Sequence, residues 1–344
     1  MTAGVTDAAQ AAGILAHARE SINPAMRAAV ARLDERNRRI AEYHLGYADA
    51  NGTPTASNGG KAVRGALALL SARSVGASGV AIPAAVAVEL VHHYSLLHDD
   101  IIDEDATRRH RPAAWTVFGA PAAILAGDAM AALATTVALE GTPSSQAAAV
   151  GGSIAAATMR MLAGQAADVA FERADAVDLE ACRQMVADKT GALLECAASV
   201  GALAAGAPDE MTAALARFGG HIGMAFQLVD DIIGIWGSAD HTGKPVASDL
   251  ASRKKSLPVV AALAAGGPHA DRLAEIYSYD GVLDRAAVET AARAVEATGA
   301  RSWAQAEADR ETDAALAVLG SLPIDDRVRD EFRVLTAMLC RRDR

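Results

Sequence analysis

Apolar side chains recur along the chain at intervals of three and four, and stretches alternating apolar with polar at every second residue are nearly absent. That period belongs to helices, so the pattern predicts an all-α protein. Helices are expected over 24–46, 61–76, 80–104, 120–140, 144–172, 178–205, 208–236, 256–266, 283–298, 300–319 and 325–341. Breakers rich in Gly, Pro, Asn and Ser separate them at 51–60, 76–79, 141–145, 206–209, 238–245, 266–268 and 321–323. The stretches 84–97 and 192–205 are apolar almost all round, which places them in the middle of a bundle. Residues 1–23 give no comparable signal and are expected to form a flexible N-terminal segment. No linker and no internal repeat divides the chain, so 1–344 is expected to be a single domain.

Composition adds limits. Hydrophobic residues make up 51% and charged residues 22% of 344, enough for a sizeable core and too apolar for disorder. Lys and Arg number 32 against 42 Asp and Glu, a net charge of −10. So acidic a chain is unsuited to general nucleic-acid or anionic-membrane binding, and no nucleic-acid partner is expected. An anionic substrate remains compatible if cations are concentrated locally or divalent metals are recruited. Cys182, Cys196 and Cys340 form neither a disulfide framework nor a CxxC site, which suits a reducing cytoplasm. The N-terminus has no signal-peptide pattern. No uncharged apolar run reaches the ~18 residues of a membrane span. The nearest, 79–98, is interrupted by Glu89 and histidines.

One theme occurs twice. A long apolar helix ends in paired aspartates, in LLHDDIID (96–103) and in FQLVDDIIG (226–234). Asp99 and Asp103 are one turn apart, so their carboxylates share a face. They lie at a helix C-terminus, where the dipole disfavours acids by about 0.3–1 kcal/mol each. Such an end calls for a cation, and all-oxygen ligands in an open geometry suit Mg²⁺, which usually binds a substrate phosphate too. Taken alone, either acidic end would read as a solvated turn. As a pair they point to carboxylates facing each other across a bundle core, as in metal-binding bundles.

Cations accompany them. The chain has only five lysines, and all sit in pointed places. Lys61 follows Gly59-Gly60, Lys189 precedes Thr190-Gly191, Lys244 lies in HTGKP, and Lys254 and Lys255 follow Asp249-Leu250. A compact ammonium beside a glycine turn suits phosphate oxygens. Lys255 carries the weakest case and reads equally as a solvated neighbour. Arg108, Arg109, His110 and Arg111 place a cationic cluster just past Asp103. Of His92 and His93, neighbours that point different ways on a helix, one suits a phosphate-facing role.

The segments GGKAVRG (59–65), HHYSLLHDDIIDEDATRRHRP (92–112), GQAADVAFE (164–172), KTGALL (189–194) and FQLVDDIIGIWGSADHTGKPVASDLASRKKSLPVV (226–260) together resemble the trans-isoprenyl diphosphate synthases of the polyprenyl synthetase family. The resemblance implies an isoprenoid synthase fold, an antiparallel helix bundle around a deep cavity, usually as a homodimer. It implies head-to-tail condensation of isopentenyl diphosphate with an allylic diphosphate, dependent on three Mg²⁺. Carried over by position, Asp99 and Asp103 would ligate two ions and Asp230 a third, supported by Asp100 and Asp231. Arg108, Lys189, Thr190, Gln227, Lys244 and Lys254 would line the allylic diphosphate. Lys61, Arg64, His93 and Arg109 would hold isopentenyl diphosphate. Tyr94, bulky, beside the small Ser95 resembles the pattern of geranylgeranyl (C20) synthases, with farnesyl (C15) as the alternative. Two positions depart from the family: Gly234 replaces the last aspartate of the second motif, which predicts weakened metal affinity, and Gly65 replaces a proline. A terpene synthase would have no use for the Lys61/Arg64/His93/Arg109 set. A non-catalytic partner subunit would not keep Asp99, Asp103 and Asp230.

Overall fold

The structure, a computed structural model, describes residues 2–55, 60–237, 247–279 and 281–340. It is all-α apart from one two-stranded hairpin and one isolated bridge, Ala48 to Pro54, among the described residues. The chain divides into two compact units, each assembled from separated segments. One comprises 1–158, 195–216 and 321–334; the other 159–194, 217–320 and 335–344.

The first unit begins where flexibility was expected. Helix α1 runs Thr2–Val30 and buries Ala11, Leu15, Ala18, Ile22 and Met26. Those five positions repeat at helical spacing, a pattern that the small alanines obscure. The expected helix 24–46 is two helices. The chain breaks before Asp34, whose carboxylate accepts from the amides of Arg36 and Asn37 and caps α2, Glu35–Leu45. Helix α3 (Val63–Arg73) lies against α4 (Ile82–Ile102), and α4 packs along α6 (Ala120–Gly141). Residues 84–91 of α4 are all buried, as their all-round apolarity predicts. A second strut reaches α3 from residues 195–204: Ser71 Oγ accepts the Ala202 amide at 2.9 Å. A Cβ on Gly201 would lie 1.8 Å from the Ala68 carbonyl, so only glycine permits this approach.

In the second unit the expected helix 178–205 is interrupted. Helix α8 (Leu179–Val186) passes into a π-turn at Ala187–Gly191 before α9 (Ala192–Ala204). Its core gathers Cys182, Met185, Val186, Leu228, Val229, Ile232 and Leu257, beside a second cluster around Ile235, Leu250, Val259, Leu273 and Val295. Gly267–Tyr277 is a further helix that the sequence did not announce, because Pro268 reads as a breaker but occupies the first turn.

Two helices, Ala120–Gly141 and Ser144–Arg173, are long and apolar enough to cross a membrane by length and composition alone. They replace 79–98 as the most membrane-like stretches. The three cysteines are free and buried.

Candidate active site

In the first unit the end of α4 carries Asp99, Asp100 and Asp103. Asp103 is the C-cap, and its amide donates to the Asp99 carbonyl at 2.8 Å, which keeps the one-turn spacing. Asp99 is half-buried and Asp103 exposed, whereas Asp100 is 1% exposed. Asp100 Oδ1 accepts Arg108 Nε at 2.7 Å and a second, shorter bond from Nη2. Burial raises the Asp100 pKa against the pull of Arg108, and its Oδ2 has no hydrogen-bond partner. The middle aspartate thus orients an arginine, while its two neighbours along the motif face outward.

Arg108 and Arg111 close a hairpin, Thr107–Arg108 paired with Arg111–Pro112. The two tip residues, Arg109 and His110, have φ of 54° and 60°. A two-residue turn of this hand favours Asn-Gly, so ordinary side chains here store strain of order 1–2 kcal/mol each. The tip brings Arg109 against the glycine loop: a Cβ on Gly60 would lie 2.8 Å from Arg109 Nη2. Gly60 also has φ +97°, so its lack of a side chain is needed on both counts. Lys61 follows, exposed, and Arg64 is half-buried in the first turn of α3.

Glu89 underlies this cluster. It is 4% exposed, accepts the Gly65 amide at 2.8 Å, and its Oε2 lies 3.9 Å from His93 Nε2. Burial raises its pKa, with Arg64 and Arg109 pulling the other way. The departure at Gly65 now has a reason. A proline there would offer no amide to the buried carboxylate, and a Cβ would meet Ile22 Cδ1 at 2.4 Å.

The histidines separate as helical geometry demands. His93 is 1% exposed and packs against both His44 and His92, at ring-centroid distances of 5.5 and 5.6 Å. His92 retains exposure and lies on the stripe His92–Ser95–Leu96–Asp99. The structure therefore buries the histidine chosen from sequence and leaves its neighbour on the aspartate face. Burial holds His92 and His44 well below the usual imidazole pKa; Arg64 and His93 act on His92 in the same sense, and His93 and Arg109 on His44, so both are neutral at pH 7. Tyr94 is 3% exposed, its ring against His98, and its hydroxyl has no hydrogen-bond partner. Ser95, one turn before Asp99, is half-buried and donates to the His92 carbonyl.

In the second unit α10 (Asp209–Trp236) repeats the design. Asp230 is half-buried and Asp231 is 2% exposed. Asp231 accepts Gln227 Nε2 at 2.8 Å and the Leu257 amide at 3.1 Å. Burial pushes its pKa up to about 6, with Lys254 opposing. Gln227 Oε1 accepts the Thr190 hydroxyl at 2.8 Å, so the π-turn is tied to the aspartate motif. Lys189 Nζ donates to Asp168 at 2.5 Å. Asp168, inside GQAADVAFE, drew no attention by its own spacing. The π-turn is clamped by glycines: a Cβ on Gly164 would lie 2.2 Å from the Lys189 amide nitrogen, and one on Gly223 2.7 Å from Gly191 Cα. Lys255, read as a solvated neighbour, instead donates to the Phe171 carbonyl at 2.7 Å. Lys244 lies outside the described residues.

No three His, Cys, Asp or Glu side chains form a ready metal cage among the described residues. In the first unit Asp99 and Asp103 present carboxylate oxygens at the C-terminal end of α4, and in the second unit Asp230 lies six residues before the end of α10. Oxygen donors of this kind fit Mg²⁺, which takes one or two carboxylates and completes its shell with substrate phosphate and water.

Residues 49–295 match the model of the polyprenyl synthetase family. The (2E,6E)-farnesyl diphosphate synthase of Mycobacterium tuberculosis is 45% identical over 331 residues, covering 94% of this chain and 90% of its own. The geranylgeranyl diphosphate synthase of the same organism is 40% identical over 332 residues, covering 96% and 93%. A polyprenyl synthetase from Streptomyces coelicolor superposes with a TM-score of 0.89 at 45% identity, covering 95% of this chain and 98% of its own. The protein belongs to the polyprenyl synthetase family, with its all-α isoprenoid synthase fold, and is a short-chain prenyltransferase. The relatives do not favour the C20 expectation over C15, since the farnesyl enzyme is the more similar of the two.

Proposed function

We propose that the protein condenses isopentenyl diphosphate with dimethylallyl, geranyl or farnesyl diphosphate and stops at geranylgeranyl diphosphate. The observation that carries this reading is the aspartate pair repeated toward the C-terminal ends of α4 and α10. Each has a half-buried first aspartate (Asp99, Asp230) and a buried second one that orients its neighbours (Asp100 with Arg108, Asp231 with Gln227). In this reading Asp99, Asp103 and Asp230 hold three Mg²⁺ with the allylic diphosphate. Bound there, the ions would neutralise charge on the leaving diphosphate as Lewis acids. Arg108, Lys189, Lys244 and Lys254 contribute fixed positive charge to the same group, with Thr190 and Gln227 beside it, so the allylic C–O bond breaks toward a carbocation. Lys61, Arg64 and Arg109 hold the isopentenyl diphosphate. His92 takes the hydrogen-bonding role that the sequence assigned to His93, because of the pair it is the half-buried one on the aspartate stripe and His93 is buried. The isopentenyl double bond attacks the cation, and the proton lost leaves with diphosphate, so no dedicated side-chain base is required.

Ser95, small and one turn below Asp99 on that stripe, supports C20. The 45% identity to a farnesyl synthase favours C15 as the second reading. We also place the protein in the cytoplasm as a single-domain homodimer. A second copy would cover the exposed Ile124, Leu125 and Leu139 of Ala120–Gly141, which therefore need not span a membrane. The test incubates purified protein with Mg²⁺, isopentenyl diphosphate and each allylic primer, and sizes the dephosphorylated products. Geranylgeraniol from all three primers is expected. Farnesol as the end point would correct the length alone, and hydrocarbon formed without isopentenyl diphosphate would overturn the reaction.

A further inference from the structure

Lys254 is the middle of three consecutive basic residues, Arg253, Lys254 and Lys255. The outer two side chains are spent on backbone carbonyls. Arg253 Nη1 donates to Gly281 at 2.7 Å, and Lys255 Nζ donates to Phe171. The charge of Lys254 instead acts on the buried Asp231, opposing the rise in its pKa. Of the three, Lys254 is therefore the one whose charge serves the second aspartate motif.

The backbone of this turn is strained and is held from several elements. Arg253 has φ of 54°, a left-handed conformation unfavourable for any residue with a Cβ. Such a conformation persists only where surrounding contacts over-determine it. Here the amides of Arg253 and Lys254 donate to the carbonyls of Leu250 and Asp249, at 3.0 and 2.8 Å. Tyr277, the last residue of the helix Gly267–Tyr277, donates its hydroxyl to the Lys254 carbonyl at 3.3 Å. Cys182 of α8 donates its thiol to the Lys255 carbonyl at 3.5 Å. The charge of Arg253 opposes the rise that burial causes in the Tyr277 pKa, so those two groups are neighbours.

We infer that Arg253 and Tyr277 are positioning residues, which fix the backbone of Lys254 so that its ammonium meets the diphosphate. The inference rests on the reading of Lys254 given above. Arg253 anchors the turn to Gly281, between the helices Gly267–Tyr277 and Arg285–Ala297, and Tyr277 anchors it to the end of the first of these. Both act through the main chain of one lysine and neither has to touch the substrate.

Isothermal titration of inorganic diphosphate in saturating Mg²⁺ is the test, performed on the full chain and on Y277F, R253A, R253K, R253G, K254M and the double variant Y277F/K254M. Thermal melts accompany each. Y277F changes no charge and is expected to weaken diphosphate binding about 2- to 10-fold, the net worth of one hydrogen bond. R253A should weaken it about 10- to 100-fold, as loss of a charged hydrogen bond does. R253K can still donate to Gly281 and should recover most of that loss. R253G separates position from stability. Glycine adopts the φ of 54° without strain, so this variant should melt above R253A and yet bind diphosphate no tighter. A merely structural role would let binding follow the melting temperature. In the K254M background Y277F should have no further effect, because its action passes through Lys254. Diphosphate binding by Y277F equal to that of the unaltered protein would overturn the inference, as would an equal loss from Y277F with and without Lys254. If K254M weakens binding while Y277F and R253A do not, only this inference falls. If K254M does not weaken it, the assignment of Lys254 falls as well.

Discussion

Glu89 shows how one buried residue organises a cationic cluster. Its carboxylate is held by the Gly65 amide and lies among Arg64, Arg109 and His93, yet burial still raises its pKa above the ordinary 4.5. A raised folded-state pKa means that the protonated form is favoured in the folded protein. The stabilisation is therefore fully present below about pH 4.5 and is lost as pH rises through the folded-state value. Glu89→Gln keeps the acceptor for Gly65 and removes the charge. Its melting temperature should exceed that of the unaltered protein at pH 8, and the difference should close as pH falls toward 4.5; thermal melts across that range check it. Product length is set at the same scale. Ser95→Phe should shorten the longest product by filling the stripe below Asp99. Tyr94→Ala should lengthen it, while the lost buried ring costs about 3–5 kcal/mol of stability. Chromatography of the dephosphorylated products tests both, and unchanged length in the Tyr94 variant would leave that residue with a packing role only.

At the scale of elements, the π-turn is the feature that periodicity could not foresee. Ala187–Gly191 inserts one residue into an otherwise continuous helix, and the residues it displaces are Lys189 and Thr190. A π-turn in mid-helix commonly marks a functional position, because its weaker backbone bonding survives only where side-chain contacts favour it. Here those contacts are Lys189 with Asp168 and Thr190 with Gln227. Gly164 makes the turn possible by letting its backbone approach. Gly164→Ala drives a methyl to 2.2 Å from the Lys189 amide nitrogen, so the turn must shift. Overpacking of this kind costs about 1–3 kcal/mol. The expected kinetic result is a raised KM for the allylic diphosphate, with the KM for isopentenyl diphosphate little changed, since the latter is assigned to Lys61, Arg64 and Arg109 on other elements. Steady-state kinetics with each substrate varied in turn distinguishes this from a general loss of folded protein, which would lower kcat without that asymmetry.

For the whole molecule, the order of segments matters. Each compact unit draws on three separated stretches of chain. Within the first unit, Arg73 pairs with Glu331 through two hydrogen bonds, one of 2.9 Å, and Ser71 holds the Ala202 amide. A fragment ending at residue 158 would lose both contacts and the apolar surface behind them. It is expected to remain incompletely folded, with weak near-ultraviolet circular dichroism and poor amide protection, whereas the full chain shows both fully developed. Independent folding of 1–158 would show that the later segments add nothing to that core.

Much was legible in the sequence because it depends on neighbours a few residues apart. Helical period gave the all-α class and most of the elements, and one-turn spacing placed Asp99 with Asp103. Cations beside glycine turns and the two aspartate pairs pointed to a metal and phosphate site, and the resemblance of the motifs to a known family implied the reaction class. Residues 1–23 and 267–277 were missed for local reasons, alanines that hide a stripe and a proline that starts a helix instead of ending one. What only the tertiary structure decided involves residues far apart in the chain. It decided which of His92 and His93 faces the aspartate stripe, and why Gly65 stands where a proline was expected. It brought Asp168 to Lys189, and Tyr277 to the Lys254 carbonyl. Spacing along a helix gives a direction for a side chain; whether that direction ends in solvent, in a partner or in a neighbouring backbone depends on contacts that form only when distant segments pack.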